Sequence, residues 1–391
     1  MSDGISVSPV SGRAELETFL RLPWQVYDGD PHWVPPLLSD VRAALDPAKH
    51  PFHRHAEVQL FLARRADGNG TGGAGSGNRS GGAPVGRIAA VVNRAHNEFH
   101  DDALGFVGLF ESVDDQAVAD ALFHAAEGWL LERGMDSVRG PMNLSTNEEI
   151  CSPGVLVDGW HRPPVIMMAH TPPYYARLFE GAGYRRAKDL HAFWIEGHEA
   201  PPRLKRAYDR LTRDGSVRIR PLDMKRFHDE VALIQDIYNS AWERNWGFVP
   251  MNPAEIEHMA AQLKPVVNPK LCAIAEVDGA PAGFALGLPD YNMALRHVNG
   301  RLFPFGLFKL LWYRRRIDTA RTITLGLKPG YRNRGLDAAM ITHIYIEGNR
   351  SGVWRSECSW ILEDNWDMRR GLERMGAVAD KTYRIFDKPL T

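Results

Sequence analysis

The order in which strand-like and helix-like stretches follow one another along these 391 residues occurs twice. In the first pass, Gly4 to Val10 alternates as a strand, and Ala14 to Tyr27 has helical spacing interrupted at Pro23. "AEVQLFLARR" and "PVGRIAAVVN" then form a hairpin, followed by the apolar strand "ALGFVGLF" and a periodic helix from Asp115 to Arg133 that stops at Gly134. "DSVRGPMN" is a further strand, "PPYYARLFEGAGY" a short helix with Pro at its start, and "AKDLHAFWIE" a closing strand. The second pass runs through "VRIRPL", a helix over 223–243, the hairpin "LCAIAEV"/"PAGFALGLP", the strand "TARTITLGL" and a helix from Gly335. The strand "WRSECSWIL", a helix from Asn365 to Met375 and the strand "KTYRIFD" complete it. Both passes read β-α-β-β-β-α-β-α-β, as a duplicated unit would. The expected organisation is a first domain over 1–197, a basic connecting helix over 198–215 and a second domain over 216–391.

The hairpin in the first half is interrupted by "ADGNGTGGAGSGNRSGGA", whose Gly/Ser/Asn composition cannot bury apolar surface and reads as a floppy tip. With 44% hydrophobic and 24% charged residues and a net charge of -1, the chain reads as an ordinary soluble protein with no general attraction to nucleic acid. Cys151, Cys272 and Cys358 lie far apart, which excludes a zinc or dithiol spacing and suits a reducing cytoplasm. The N-terminal "MSDGISVSPVSG" has no signal-peptide character, and no apolar run reaches the length of a membrane span.

One stretch points to chemistry. In "TLGLKPGYRNRGLDAAM" (324–340) an apolar strand breaks at Pro-Gly, passes Arg332, Asn333 and Arg334, and enters a helix at Gly335. Free N–H groups and the helix dipole make such a helix start an anion site, and its ligand would be a phosphate.

The strand "ITLGLKPGY", the turn "RNRGLD" and the late "EDNWDMRRGLERMGA" resemble the GNAT (Gcn5-related) N-acyltransferases. The resemblance implies tandem α/β (α+β) domains, each with a mixed, mostly antiparallel central sheet flanked by helices. It also implies acyl-CoA as co-substrate: pantetheine along Leu325, Gly326 and Leu327, pyrophosphate on the loop Arg332, Asn333, Arg334, Gly335 and Leu336, with Asn365 in the late motif. Arg332 and Gly335 match the first two fixed positions of the family loop, whereas Asp337 stands where the family has Gly or Ala. Leu372 occupies the place of a Tyr that often protonates the leaving thiolate. The first half carries "VDDQAVADAL" where the second is basic, so only the C-terminal half is expected to hold the nucleotide. "GPMNLSTNEE" (140–149), "RPPVIMMAH" (162–170), "PPYY" and "SWILEDN" are similar to ceramide synthase-type N-acyltransferases of bacteria, which implies a long-chain acyl donor and a long-chain base as acceptor.

Acyl transfer to an amine needs a base, oxyanion donors and a proton for the thiolate. Candidate acids and bases are Glu357 and Glu363, which share a face on a regular strand, together with Glu148, His170 and Tyr175. Asn143, Ser145 and Asn147 are candidate substrate contacts, in a polar loop that follows an apolar strand. The "HPFHRH" histidines have no accompanying carboxylate or cysteine at ligand spacing, so no metal is expected. Cys151 has no activating neighbour.

Between the second hairpin and the phosphate strand lies "RLFPFGLFKLLWYRRRI" (301–317), with Phe305, Phe308 and Trp312 ahead of three arginines. It suits a segment lying on an anionic membrane surface or a lid over an acyl chain, and a packed helix with a wet basic end is the plain alternative. The leading expectation is an acyl-CoA-dependent N-acyltransferase, cytoplasmic or peripheral on the inner membrane. Acetylation of a small amine or protein, aminoacyl-tRNA-dependent transfer and a non-catalytic acyl-CoA-binding module are the alternatives. Replacing residues 67–81 by a short turn is expected to leave the thermal midpoint unchanged, since loop length enters stability only logarithmically; a scanning calorimetry trace of the shortened chain checks this.

Overall fold

The computed structural model describes residues 4–66, 82–145, 153–242 and 245–391. The chain divides into two compact units: Met1–Pro163, Ala169–Asp189 and Tyr383–Thr391 form one, and Pro164–Met168 with Leu190–Thr382 the other.

The first unit contains, in chain order, β1 (Ile5–Pro9), α1 (Gly12–Arg21), α2 (Pro23–Val26), α3 (Leu38–Ala44), β2 (Ala56–Arg65), β3 (Ala83–Asn93) and α4 (Arg94–His100). It continues with β4 (Leu104–Ser112), α5 (Gln116–Leu131), β5 (Ser137–Gly140), β6 (Val155–Asp158), α6 (Tyr175–Gly181) and the start of β7 (Arg185–Glu196). Strands β1 to β4 pair antiparallel in succession, and β4 then pairs with β5 in parallel. Pro23 does break the first helix, because its ring removes the N–H that would continue α1 and instead opens α2. α5 presents Val118, Leu122, Phe123, Ala126 and Leu130 to the sheet at helical period, and all five are buried with Phe110, Phe179 and Tyr184. On the other sheet face Phe19 packs with Leu62, Ala89 and Leu109.

The second unit runs through α7 (Pro202–Leu211), β8 (Val217–Arg220), α8 (Phe227–Trp242), α9 (Pro253–Leu263), β9 (Cys272–Val277), β10 (Ala280–Pro289) and α10 (Asn292–Leu295). Then come α11 (Gly306–Tyr313), β11 (Thr319–Leu327), α12 (Leu336–Arg350), β12 (Arg355–Leu362), α13 (Trp366–Arg374) and β13 (Val378–Pro389). Strands β8, β9, β10 and β11 are antiparallel neighbours, β11 and β12 are parallel, and β12 pairs antiparallel with β7 over Leu190–Glu196. Among the pairings described above, a parallel pair occurs in both units, β4/β5 and β11/β12. α12 covers the sheet with Leu336, Ala339, Met340 and Ile344, packed on Leu271, Ala273, Ala275 and Ala285.

The expected boundary at residue 197 moves. The break falls within β7, between Asp189 and Leu190, and the connecting helix over 198–215 is α7 of the second unit. The last nine residues expected in the second domain return to the first unit, where β13 pairs antiparallel with β5 from Phe386↔Gly140 to Pro389↔Ser137. Arg139 holds Asp387 through two hydrogen bonds of 2.8 and 2.7 Å, and Lys388 holds Glu127. Element order alone carries no record of such a strand exchange, since pairing partners are set by the core they complete. Phe386 is fully buried against Phe179 in that core. Phe386→Ala is therefore expected to cost about 3–5 kcal/mol and to lower the midpoint of urea unfolding, read by intrinsic fluorescence.

Candidate active site

The parallel pairing of β11 with β12 ends at Thr322↔Cys358, while β11 continues to Leu327. On its other side β11 stays paired with β10 as far as Leu327↔Gly283, with one register shift at Leu286/Gly287. Beyond Thr322, then, β11 keeps one partner and turns its second edge away from β12, as a backbone edge available to an extended ligand. In the first unit the corresponding edge of β4 is taken by the chain itself. There the β4/β5 pairing ends at Phe106↔Arg139, Met142 N–H donates to the Val107 carbonyl at 2.7 Å, and Leu109 N–H donates to Asn143 Oδ1 at 2.8 Å. A Cβ on Gly108 would lie 1.8 Å from the Met142 carbonyl oxygen, so only glycine admits this closure.

The helices that follow these strands differ in the same way. The α5 N-terminus is capped by Asp115, whose carboxylate accepts from Ala117 N–H and is held by Arg65. α12 begins at Gly335, with φ of 78° and no side-chain cap. Its first N–H groups therefore lack a side-chain acceptor, in the setting in which helices hold phosphate. A short 3-10 turn over Pro329–Tyr331 leads into it, Asn333 takes a left-handed φ of 61°, and Arg332, Asn333 and Arg334 are exposed. Arg332 Nη2 donates to the Ala241 carbonyl at the end of α8 at 2.9 Å, and the Arg334 guanidinium lies over the Tyr331 ring. Leu336 is buried in the core, so only its backbone faces the turn, while Asp337 is exposed.

Where β11 and β12 are still paired, Arg321 stands directly opposite Glu357. Both are buried, and Glu357 has no exposed surface. Arg321 Nε donates to Ser359 Oγ at 3.1 Å and its Nη1 to the Ile166 carbonyl at 3.2 Å. Asp290, just beyond β10, accepts on Oδ1 from Ile166 N–H at 2.8 Å and Asn292 N–H at 3.1 Å. Lys381 of β13, fully buried, contacts Asp380 at 3.2 Å. Among the described residues neither carboxylate oxygen of Glu357 makes a hydrogen bond of ordinary geometry, although the nearby Ser359 hydroxyl helps to lower its pKa. Burial pushes the Glu357 carboxyl above the usual range, although the charges of Lys381 and Arg321 pull it back. Burial also raises Asp290, to about 7, with its two backbone donors opposing and the Glu357 charge adding to the rise.

The other sequence-derived candidates are placed as follows. Glu363 lies past the end of β12, and its carbonyl accepts from Arg369 at 2.7 Å. A register shift between Cys358 and Ile361 inserts an extra residue into the strand, so the even spacing from Glu357 no longer sets a common face. Asn365 caps α13 by accepting from Met368 N–H at 3.2 Å. His170 belongs to the first unit, where its Nε2 meets Asp30 Oδ2 at 2.8 Å. Tyr175, also there, is core: its hydroxyl donates to Glu111 at 2.7 Å and accepts from Ser112 N–H at 2.9 Å, and burial holds its pKa well above the ordinary value. That commitment corrects its reading as a proton donor to a thiolate. Asn143, read as a substrate contact, spends its oxygen on Leu109, and Ser145 beside it is buried. Asn147 and Glu148 lie outside the described residues. Leu372, at the family's tyrosine position, is buried among Phe193, Ile361 and Met375.

Asp290, Arg321, Ser359 and Lys381 were not anticipated. A charged residue inside the apolar strand "TARTITL" was the available signal for Arg321. Burial raises Cys358 to about 11 and Cys272 to about 12, so both remain thiols at neutral pH and neither is an activated nucleophile. Among the described residues no three His, Cys, Asp or Glu side chains gather as a metal set.

Because the folded pKa of Asp290 lies above the unfolded value, the folded state binds more protons between roughly pH 4 and 7, and stability falls as pH rises through that window. Asp290→Asn keeps an oxygen for the Ile166 and Asn292 amides and removes the titration. The difference in thermal midpoint between variant and parent is expected to grow in the variant's favour from pH 4 to about 7 and then level off, as calorimetry across that range will show.

No family model matches the chain. Among solved structures, a tandem GNAT protein from the clavulanic acid biosynthesis pathway superposes with a TM-score of 0.56 at 12% identity, covering 99% of both chains. A GCN5-related N-acetyltransferase from Sphaerobacter thermophilus does so at 0.55 and 14% identity, covering 99% of this chain and 96% of its own. At these identities the likeness concerns the fold, which is tandem GNAT. Among curated proteins, Protein YghO of Escherichia coli (strain K12) is 36% identical over 385 residues, 96% of this chain and 93% of its own. Bacterial ceramide synthase of Caulobacter vibrioides (strain NA1000 / CB15N) is 38% identical over 394 aligned positions, 99% of this chain and 98% of its own. Full-length identity at this level, on a tandem GNAT fold, makes this chain a member of the bacterial ceramide synthase family of GNAT acyltransferases.

Proposed function

We propose that the second unit transfers a long-chain acyl group from acyl-CoA to the amine of a long-chain base, with Glu357 as the general base. The observation that carries this reading is the buried Glu357 carboxylate, without a hydrogen bond of ordinary geometry among the described residues, where β11 and β12 part company. A carboxylate raised by burial is a stronger proton acceptor than an exposed one. The long-chain acceptor is supported by the name of the Caulobacter relative.

In this reading the pyrophosphate of acyl-CoA rests on the α12 N-terminus between Arg332 and Arg334, and pantetheine runs along the edge of β11 over Leu325, Gly326 and Leu327. The ammonium of the long-chain base gives one proton to Glu357, and the resulting neutral amine attacks the thioester carbonyl carbon. The second proton, shed by nitrogen once the C–N bond has formed, is the one the leaving thiolate takes up. The new C–N bond forms, the C–S bond breaks, and the coenzyme A thiolate leaves to take up a proton. The two described cysteines stay protonated, which favours this direct route over an acyl-enzyme.

Glu357→Gln is expected to lower kcat by about 10²–10⁴-fold without weakening acyl-CoA binding. The parent's rate should rise with pH as the carboxyl ionises, and this acidic limb should be absent from the variant's pH profile. A parent-like rate in Glu357→Gln would remove Glu357 as the base. The Arg332→Ala, Arg334→Ala double variant is expected to weaken acyl-CoA binding about tenfold or more in isothermal titration. Paired assays of palmitoyl-CoA against acetyl-CoA, each with a long-chain base and with a small polar amine, test the substrate class.

A further inference from the structure

α11 and the residues around it carry an exposed apolar surface that nothing else in the second unit uses. Phe303 is 79% exposed, Phe305 and Phe308 70% and Trp312 61%, with Leu307 and Leu311 also exposed. Isolated exposed side chains of this kind are ordinary, but six on one short segment form a patch that requires an occupant. The helix is anchored at its two ends: Gly306 is buried, where a Cβ would lie 1.9 Å from the Arg301 carbonyl, and Tyr313 stacks on His297 with ring centres 3.7 Å apart.

The charge around the patch identifies the occupant. From Tyr291 to Ile317 the sequence contains no Asp or Glu and six cations: Arg296, Arg301, Lys309, Arg314, Arg315 and Arg316. Arg301, Lys309 and the three arginines after α11 are exposed. Several of these charges converge in space, since His297 has its pKa lowered first by burial and then by Arg296, Lys309 and Arg316 together. A second copy of the chain related by a twofold axis would set these cations against themselves, which disfavours self-association through this face. A surface that is apolar below and negatively charged at its rim answers both halves of the patch at once: aromatic and leucine side chains enter the acyl boundary and arginines meet lipid phosphates. α11 has only eight residues, so it can lie in such an interface but not cross it.

We infer that α11, with Phe303, Phe305, Phe308 and Trp312 inserted and Arg314, Arg315 and Arg316 on the headgroups, docks the protein on an anionic lipid bilayer. This inference is independent of the chemistry assigned to Glu357. The test is sedimentation of the full chain with vesicles of equal parts phosphatidylcholine and phosphatidylglycerol, and with phosphatidylcholine alone. The expected result is binding to the anionic vesicles that is much weaker on neutral ones and falls with salt. Phe308→Ser with Trp312→Ser, and separately Arg314→Gln with Arg315→Gln and Arg316→Gln, should each weaken it on the order of a hundredfold. Because the substituted side chains are exposed, both variants should keep the parent's circular dichroism and thermal midpoint. Quenching of tryptophan fluorescence by brominated lipid should be reduced in Trp312→Phe. Failure of the parent to sediment with anionic vesicles, equal binding by both variants, or a parent dimer in light scattering that Phe308→Ser with Trp312→Ser abolishes would each overturn the inference.

Discussion

The parting of β11 from β12 is the constraint on which the second unit depends. As long as the two strands run side by side, Arg321 and Glu357 are register partners and both are buried. Once they separate, the same strand offers a free backbone edge and then feeds a helix with an uncapped start. In the proposed reaction, chemistry and ligand binding would share one strand: the paired part carries the register partner of Glu357, and the unpaired part would supply donors and acceptors to an extended co-substrate.

The first unit shows the same architecture with each of those openings filled. Its parallel strand pair also ends early, but Met142 and Asn143 take the β4 backbone groups that would otherwise be available. Its helix start is neutralised by Asp115, with Arg65 on the outer side. A backbone amide can serve either the chain or a ligand, and here the chain has claimed it. In the same unit Tyr175, Glu111 and Arg87 are tied into a buried network.

The charged cluster of the second unit is costly to fold around. Burial opposes the ionised form of Asp290 and of Glu357, and the counter-charges Arg321 and Lys381 return only part of that cost. Natural sequences tolerate such groups where activity requires them, at some expense of stability. The segment Pro164–Met168 is integral to this arrangement: its backbone supplies a donor to Asp290 and an acceptor to Arg321. A stretch from the first half of the sequence thereby shapes the site in the second unit.

What the sequence by itself determined was everything governed by interactions within a few residues. The hydrophobic periods located most of the strands and helices, Pro23 broke its helix, and the acidic "VDDQAVADAL" against the basic turn before Gly335 set the two helix starts apart, because charge and turn chemistry act within a few residues. The Phe/Leu/Trp and arginine content of residues 301–317 was equally plain. Tertiary structure alone decided the rest. It placed β13 beside β5, a pairing between residues some 250 positions apart. It inserted the register shift that separates Glu363 from Glu357, and it gathered Asp290, Arg321 and Lys381 around a carboxylate that spacing could only nominate. Such contacts are selected by the closure of long loops around a shared core, and no local preference of the residues involved records which partners they will meet.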